Sequence, residues 1–280
     1  MKRRRSVRIG TAIDNNITVL GVVRAGPPNP VYLVWDRRKW SPMACKLYPS
    51  FAHARREAAT LSTFQHPNIV RCMGVGRAGY MLMEFLEGPT LDDYMRSLPG
   101  GHLTVSDAIR TGIYLGSALR HIHLNGYLHL DVKPANVIVF RGRPILFDLD
   151  IAQRQSSGAQ PVVNGTSDYM SPEQQCLGKL TRASDVFSLG VTLFETMTGS
   201  LPYSPEGRRR TSSRIIQKPV AMRTILPEVP EALDQLVSRC METRPSDRPK
   251  LTDLLTQLHG FISEGPRMWP PGFDPVLAKQ

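Results

Sequence analysis

The segment His129-Leu-Asp-Val-Lys-Pro-Ala-Asn136 is followed, 11 residues after it ends, by Phe147-Asp-Leu-Asp150. A strand-like Val137-Ile-Val-Phe140 and a turn at Gly142 lie between them. A lone Asp in a loop is an ordinary turn former. Here Asp131, Lys133 and Asn136 fall within six residues, and Asp148 follows one strand and one turn later. Together they supply what phosphoryl transfer asks of a protein. One carboxylate orients an attacking hydroxyl and an amine neutralises the moving group. An amide and a second carboxylate hold a divalent cation.

Upstream of this stretch the chain reads mostly as sheet. Ile17–Val23 is rich in β-branched residues, a Gly/Pro turn spans 25–30, and Val31–Trp35 and Pro42–Tyr48 read as further strands. Helical spacing runs from Ala52 to Phe64, and Val70–Val75 and Tyr80–Phe85 are two more strands. After Gly88 the period changes to that of helices, at Leu91–Met95, Val105–His123, Ser184–Thr198, Glu231–Met241 and Leu251–Ile262. The plan is α+β and two-lobed, with a small β-rich N-lobe over about 14–86 and a larger, mainly helical C-lobe over about 87–260. Residues 1–13 read as a basic leader and 261–280 as a Pro-rich tail.

Composition narrows the class further. Of 280 residues, 41% are hydrophobic and 21% charged, which supports a packed core and argues against wholesale disorder. The four cysteines are 27, 104 and 64 residues apart, so no pair has metal-ligand spacing and no disulfide framework is expected. The basic start lacks the apolar stretch of a signal peptide, and no run is long enough to span a membrane. The expectation is a soluble, cytoplasmic protein. Its net charge of +11 and pI near 9.8 raise nucleic acid or an acidic partner as candidates.

From about Ile17 to about Leu258 the sequence resembles the eukaryotic-type Ser/Thr protein kinases, with features of the bacterial members. The resemblance implies an ATP- and Mg2+-dependent enzyme, with Mn2+ as an alternative metal, acting on Ser/Thr of protein substrates. By the same likeness Asp131 is the catalytic base and Lys133 the phosphate-side cation, while Asn136 and Asp148 are metal ligands. Ala44-Cys-Lys46 matches the third-strand motif, so Lys46 would hold the α/β-phosphates and pair with Glu57. Gly26, Val31, Ala44, Met83, Glu84, Leu86 and Ile138 complete the implied ATP-binding set, with Met83 at the gatekeeper position and Glu84–Leu86 as the adenine-contacting hinge. His66-Pro-Asn-Ile-Val70 matches the connection into the fourth strand. Leu61, Cys72, His129 and Leu149 match a stacked apolar series. Gly165–Glu173 matches the end of a substrate-side segment carrying Thr166. Asp185 would anchor the catalytic loop, and Arg248 would be the buried partner of Glu173.

Several positions depart from the family pattern. Where three glycines are usual in the phosphate-binding loop, this chain has Arg24, Gly26 and Asn29, with prolines at 27, 28 and 30. Prolines remove backbone donors and stiffen the loop, whereas Asn29 tolerates left-handed geometry and compensates in part. The expected effect is weaker ATP binding. Leu130 stands where an arginine usually receives an activating phosphate, so activity is expected not to depend on phosphorylation at Ser156 or Ser157. Asp150 replaces the glycine after Asp148-Leu149.

The leading reading is an active protein kinase. The alternatives are a pseudokinase serving as a binding or scaffold module, motivated by the altered glycine loop, and a small-molecule kinase of the same fold. Lys46, Asp131, Asn136 and Asp148 are all present, which favours catalysis, and the substrate-side segment favours a protein acceptor. The surplus charge maps to two runs. Lys2, Arg3, Arg4, Arg5 and Arg8 form one; Arg208, Arg209, Arg210, Arg214, Lys218 and Arg223 form the other. The second run makes an acidic substrate a better expectation than nucleic acid, for which no motif is present. The sequence specifies no oligomeric state.

Overall fold

The computed structural model describes residues 7–26, 29–155, 166–203 and 218–262. Two compact units emerge, one from Met1–Gln65 with Ile69–Glu87 and the other from His66–Asn68 with Gly88–Gln280. The expected leader residues 2–5, the prolines at 27 and 28, Ser156, Ser157, Gly165, Arg208–Arg210, Arg214 and tail residues 263–280 lie outside the described residues.

The first unit is a five-stranded antiparallel sheet, ordered β1-β2-β3-β5-β4, with one helix. Its strands are β1 (Ile17–Arg24), β2 (Val31–Asp36), β3 (Ser41–Leu47), β4 (Cys72–Gly76) and β5 (Tyr80–Glu84). Side chains alternate between the faces of a strand, so register decides what each face carries. Ile17, Val19, Tyr32, Val34, Met43, Cys45, Leu47, Tyr80 and Leu82 form a buried cluster on one face. Val7 and Ile13 pack against that cluster. Val7 N–H donates to Tyr32 Oη at 3.1 Å, and the Tyr80 hydroxyl donates to Asp14 Oδ2. Residues 7–14 thus cover the sheet, the task their apolar members perform among the basic ones.

Helix α1 (Phe51–Leu61) begins with the Ser50 side chain accepting from the His53 N–H. The apolar period continues to Phe64, yet the helix stops at Leu61. Thr63 N–H and Phe64 N–H turn back to carbonyls three residues earlier, tightening the last turn. Helix α1 packs on β4 and β5.

The second unit is built on helices α2 (Leu91–Ser97), α3 (Val105–Leu124), α4 (Pro172–Gln175), α5 (Arg182–Thr198), α6 (Glu231–Cys240) and α7 (Leu251–Gly260). Thr104 caps α3 by accepting from Asp107 N–H while its hydroxyl donates back to the Asp107 carboxylate. A capping box of Thr181 and Ser184 starts α5, and left-handed Gly199 ends it. Helices α3, α5, α6 and α7 pack together. At Gly190 on α5 an added Cβ would sit 2.6 Å from Cys240 Cβ on α6, so glycine sets the closeness of that crossing. Two short ribbons complete the unit: β7 (Val137–Phe140) with β8 (Arg143–Leu146), and β6 (Tyr127–Leu128) with β9 (Gln153–Arg154).

His66–Asn68 is covalently part of the run into β4 but groups with the second unit. Asn68 Nδ2 donates to Pro144 O at 2.8 Å, and Leu146 N–H donates to Asn68 O. His66 Nε2 lies 3.1 Å from Ser117 Oγ, and its ring sits 5.4 Å from that of His121. Among the described residues no helix is long and apolar enough to cross a membrane.

Candidate active site

In the first unit, register brings the predicted nucleotide residues to one face. Val31 pairs with Lys46, and Ala44 pairs with Met83. Directly opposed residues share a face, as do residues two apart, so Val31, Ala44, Lys46 and Met83 lie together opposite the apolar cluster. Lys46 Nζ donates to Glu57 Oε1 at 2.9 Å and Oε2 at 3.2 Å. The 11-residue separation of that pair is closed by starting α1 soon after Pro49. Sequence reading missed a third member: Tyr48 Oη donates to Glu57 Oε2 at 2.7 Å. Two donors on one buried carboxylate offset the loss of water that an isolated charge would suffer.

Glu84 closes β5, and its carboxylate takes the Arg71 guanidinium and the Arg71 N–H. Leu86 is buried just beyond it. Gly26 has φ +90°, a conformation glycine adopts without strain, and Arg24 Nη2 donates to Asn29 O at 3.2 Å.

In the second unit the predicted catalytic residues converge. Lys133 Nζ donates to Asp131 Oδ2 at 2.7 Å and also to Thr166 Oγ1. Asn136 Nδ2 donates to Asp131 Oδ2 at 2.7 Å and to the Asp131 carbonyl at 2.9 Å. Thr166 N–H donates to Asp131 Oδ1 at 3.0 Å. Asp148 lies two residues past the end of β8, in a left-handed conformation at φ +67°. Ile138 lies on β7 and bridges to Thr90. Asp150 is exposed.

The loop carrying Asp131 is held from below by Asp185 on α5. Asp185 accepts from His129 N–H at 2.9 Å, Leu130 N–H at 2.7 Å and His123 Nε2 at 2.7 Å. It has no solvent exposure. Burial alone would raise its carboxyl pKa, but the His123 hydrogen bond and charge bring it below the ordinary value. Burial pushes the His129 imidazole down, leaving it neutral, and its Nδ1 accepts from Asp131 N–H at 3.2 Å. Leu130 is buried and left-handed at φ +69°. A branched side chain there costs about 1–2 kcal/mol, which the surrounding bonds must offset.

Helix α5 also grips the segment 166–173 and the loop carrying Asp131, through residues that sequence reading did not single out. Ser184 Oγ donates to Glu173 Oε1, Ser188 Oγ to Tyr169 O, and Thr192 Oγ1 lies 3.4 Å from Val132 O. These three are spaced by four, one stripe of the helix. Further along, Tyr169 Oη donates to Glu195 Oε2 at 2.5 Å. Burial, then the charges of Asp92 and Asp168, push Glu195 up to about 7. A run of small polar residues at helical spacing inside an apolar helix was the available signal.

Glu173 and Arg248 form a bidentate pair at 2.7 and 2.8 Å. The remaining Arg248 donors reach Ala183 O, Thr243 O and Glu242 O, so all five N–H groups are used. The guanidinium also lies 5.0 Å from the Phe187 ring. Of the second basic run, Lys218 and Arg223 are described, and Arg223 lies 3.7 Å from Glu231.

Comparison with known proteins agrees with this geometry. The model of the protein kinase domain family matches residues 31–259. The chain belongs to the protein kinase family. This kinase is 31% identical over 258 residues to the serine/threonine-protein kinase PrkC of Bacillus subtilis, covering 86% of the chain and 39% of that relative. It is 28% identical over 265 residues to PknA of Mycobacterium tuberculosis, covering 87% and 60%. The chain therefore spans less than two thirds of the length of these relatives. The solved PknI kinase domain of Mycobacterium tuberculosis matches with a TM-score of 0.71 at 23% identity, covering 91% of this chain and 99% of that one. The α+β fold of the kinase is the one that such domains share.

Proposed function

We propose that this kinase transfers the γ-phosphoryl group of ATP, with Mg2+, to Ser or Thr hydroxyls of protein substrates. The observation that carries the reading is the meeting of Lys133, Asn136 and Thr166 on the single carboxylate of Asp131. Oδ2 takes two donors and Oδ1 one among the described residues. A carboxylate oxygen can accept twice, so Oδ1 retains capacity for a substrate hydroxyl. Asp131 orients that hydroxyl and accepts its proton. Lys133 supplies positive charge at the same point, and its bond to Thr166 ties the acceptor-side segment to the base.

The donor set suits the cation. Asp148 offers a carboxylate and Asn136 an amide oxygen, its amide nitrogen being engaged by Asp131; hard oxygen ligands match Mg2+ or Mn2+. When bound, ATP brings the phosphoryl group and the metal neutralises its charge. Lys46, fixed by Glu57 and Tyr48, is assigned to the α/β-phosphates. The names of the relatives support Ser/Thr acceptors, and the basic run at 207–227 supports an acidic substrate.

Radiolabelled ATP with Mg2+ tests the reading. Incorporation into a generic protein acceptor should exceed that of Asp131→Asn and Lys46→Met. Equal incorporation by all three, with nucleotide binding still visible as a thermal shift, would favour the scaffold reading that the altered glycine loop motivates.

A further inference from the structure

The peptide unit joining Leu130 to Asp131 is held at both ends. Its carbonyl, on Leu130, accepts from Gln174 Nε2 at 3.0 Å. Its N–H, on Asp131, donates to His129 Nδ1 at 3.2 Å. The peptide before it is fixed too, by the bond from Leu130 N–H to Asp185. Leu130 sits at φ +69°, where a γ-branched residue is strained, so this peptide plane needs external partners to keep its orientation. Rotation of that plane would swing the Asp131 side chain away from Lys133, Asn136 and Thr166.

We infer that Gln174 is a positioning residue for Asp131, fixing the base through the Leu130 carbonyl. Gln174 is almost wholly buried and follows Glu173, whose carboxylate is locked to Arg248 and Ser184. Its backbone is therefore anchored in the second unit, and its amide is aimed at the catalytic loop. Besides the Thr166 contacts to Asp131 and Lys133, this neutral side chain is a further link between the substrate-side segment and the base. This inference rests on the phosphoryl-transfer reading and deepens it.

The test uses Gln174→Met, which keeps length and removes the donor, and Gln174→Glu, which replaces the donor with an acceptor. Initial rates at saturating ATP and acceptor should fall at least about tenfold for both variants, a rate loss that corresponds to one lost orienting bond. The KM for ATP should stay within about twofold, because the nucleotide-holding Lys46 lies on the other unit. In protein carrying nitrogen-15 histidine, the His129 Nδ1 resonance should shift in both variants, since the peptide it grips has turned. That readout needs no activity. If wild type transfers no more than Asp131→Asn, the functional reading has failed, while the resonance still reports on the tether. Unchanged kcat with an unchanged resonance overturns the inference. So does a loss that appears equally in KM for ATP or that follows the folded fraction in a thermal melt.

Discussion

Asp185 Oδ1 and the main-chain N–H of Leu130 are joined at 2.7 Å across 55 residues of sequence. That bond ties the strained point of the loop carrying Asp131 to the first turn of α5. The other carboxylate oxygen accepts from both His129 N–H and His123, so three donors depend on one side chain. Asp185→Asn keeps the shape but replaces one acceptor oxygen with a donor. The variant should lose about 3 kcal/mol or more in urea unfolding, since buried donors are left unpaired. Phosphoryl transfer should fall with it even at temperatures where the variant remains folded.

Glu195 titrates near neutrality. Its folded pKa of about 7 lies above the unfolded value of about 4.5, so the fold binds more protons than the unfolded chain between those values. The associated stability is complete below about pH 4.5 and is lost as pH rises through 7. Glu195→Gln removes the titration and still accepts from Tyr169. Relative to wild type it should melt higher at about pH 8.5 and gain little at about pH 5, the difference being at most about 3 kcal/mol. An equal shift at both pH values would show that burial of the carboxylate is not what costs stability.

Arg248 is a point where Lys cannot substitute. Its fork satisfies Glu173 and three carbonyls with all five donors, and a single ammonium has neither the reach nor the geometry. Arg248→Lys and Arg248→Met should each cost about 3–5 kcal/mol, because Glu173 is left buried beside unpaired carbonyls. Denaturant midpoints give the comparison. Glu173, held below its ordinary pKa by Arg248, adds stability that is present above the unfolded value and lost as acid protonates it.

The place of Leu130 carries no guanidinium, and its side chain is buried. Phosphatase-treated protein and Ser156→Ala/Ser157→Ala should therefore retain activity close to that of untreated wild type. A collapse in either would show that a phosphate orders the segment through some other cation.

The parts of the site that could be read from sequence are those whose chemistry is compressed into short spacing. Asp131, Lys133 and Asn136 lie within one loop, and Asp148 one ribbon away. The strands and the long helices followed from their periods, with α5 found two residues short at its start. What stayed hidden depends on distant partners without periodic signal. Tyr169 meets Glu195 across 26 residues, and Gln174 meets Leu130 across 44. Tyr48 looked like the end of a strand until Glu57 was placed beside it. The pair β6 and β9 has two residues per strand, too few to show alternation. In β8, Pro144 disguised a strand that, among the described residues, pairs with β7 alone and so spares the missing N–H. The grouping of His66–Asn68 with the second unit is a tertiary choice, made by Asn68 and His66 side chains.

The hold of Asp185 on its loop has a kinetic meaning. The N–H groups of His129 and Leu130 are bonded to a carboxylate with no exposure, carried by a helix packed among α3, α6 and α7. For those amides to meet solvent, α5 itself must open. Their hydrogen exchange should proceed at the rate of the slowest core amides, although they belong to a loop. A loop that shares the opening free energy of the core does not fray before the protein melts. Heat should therefore abolish the Asp131 cluster and the fold in one transition.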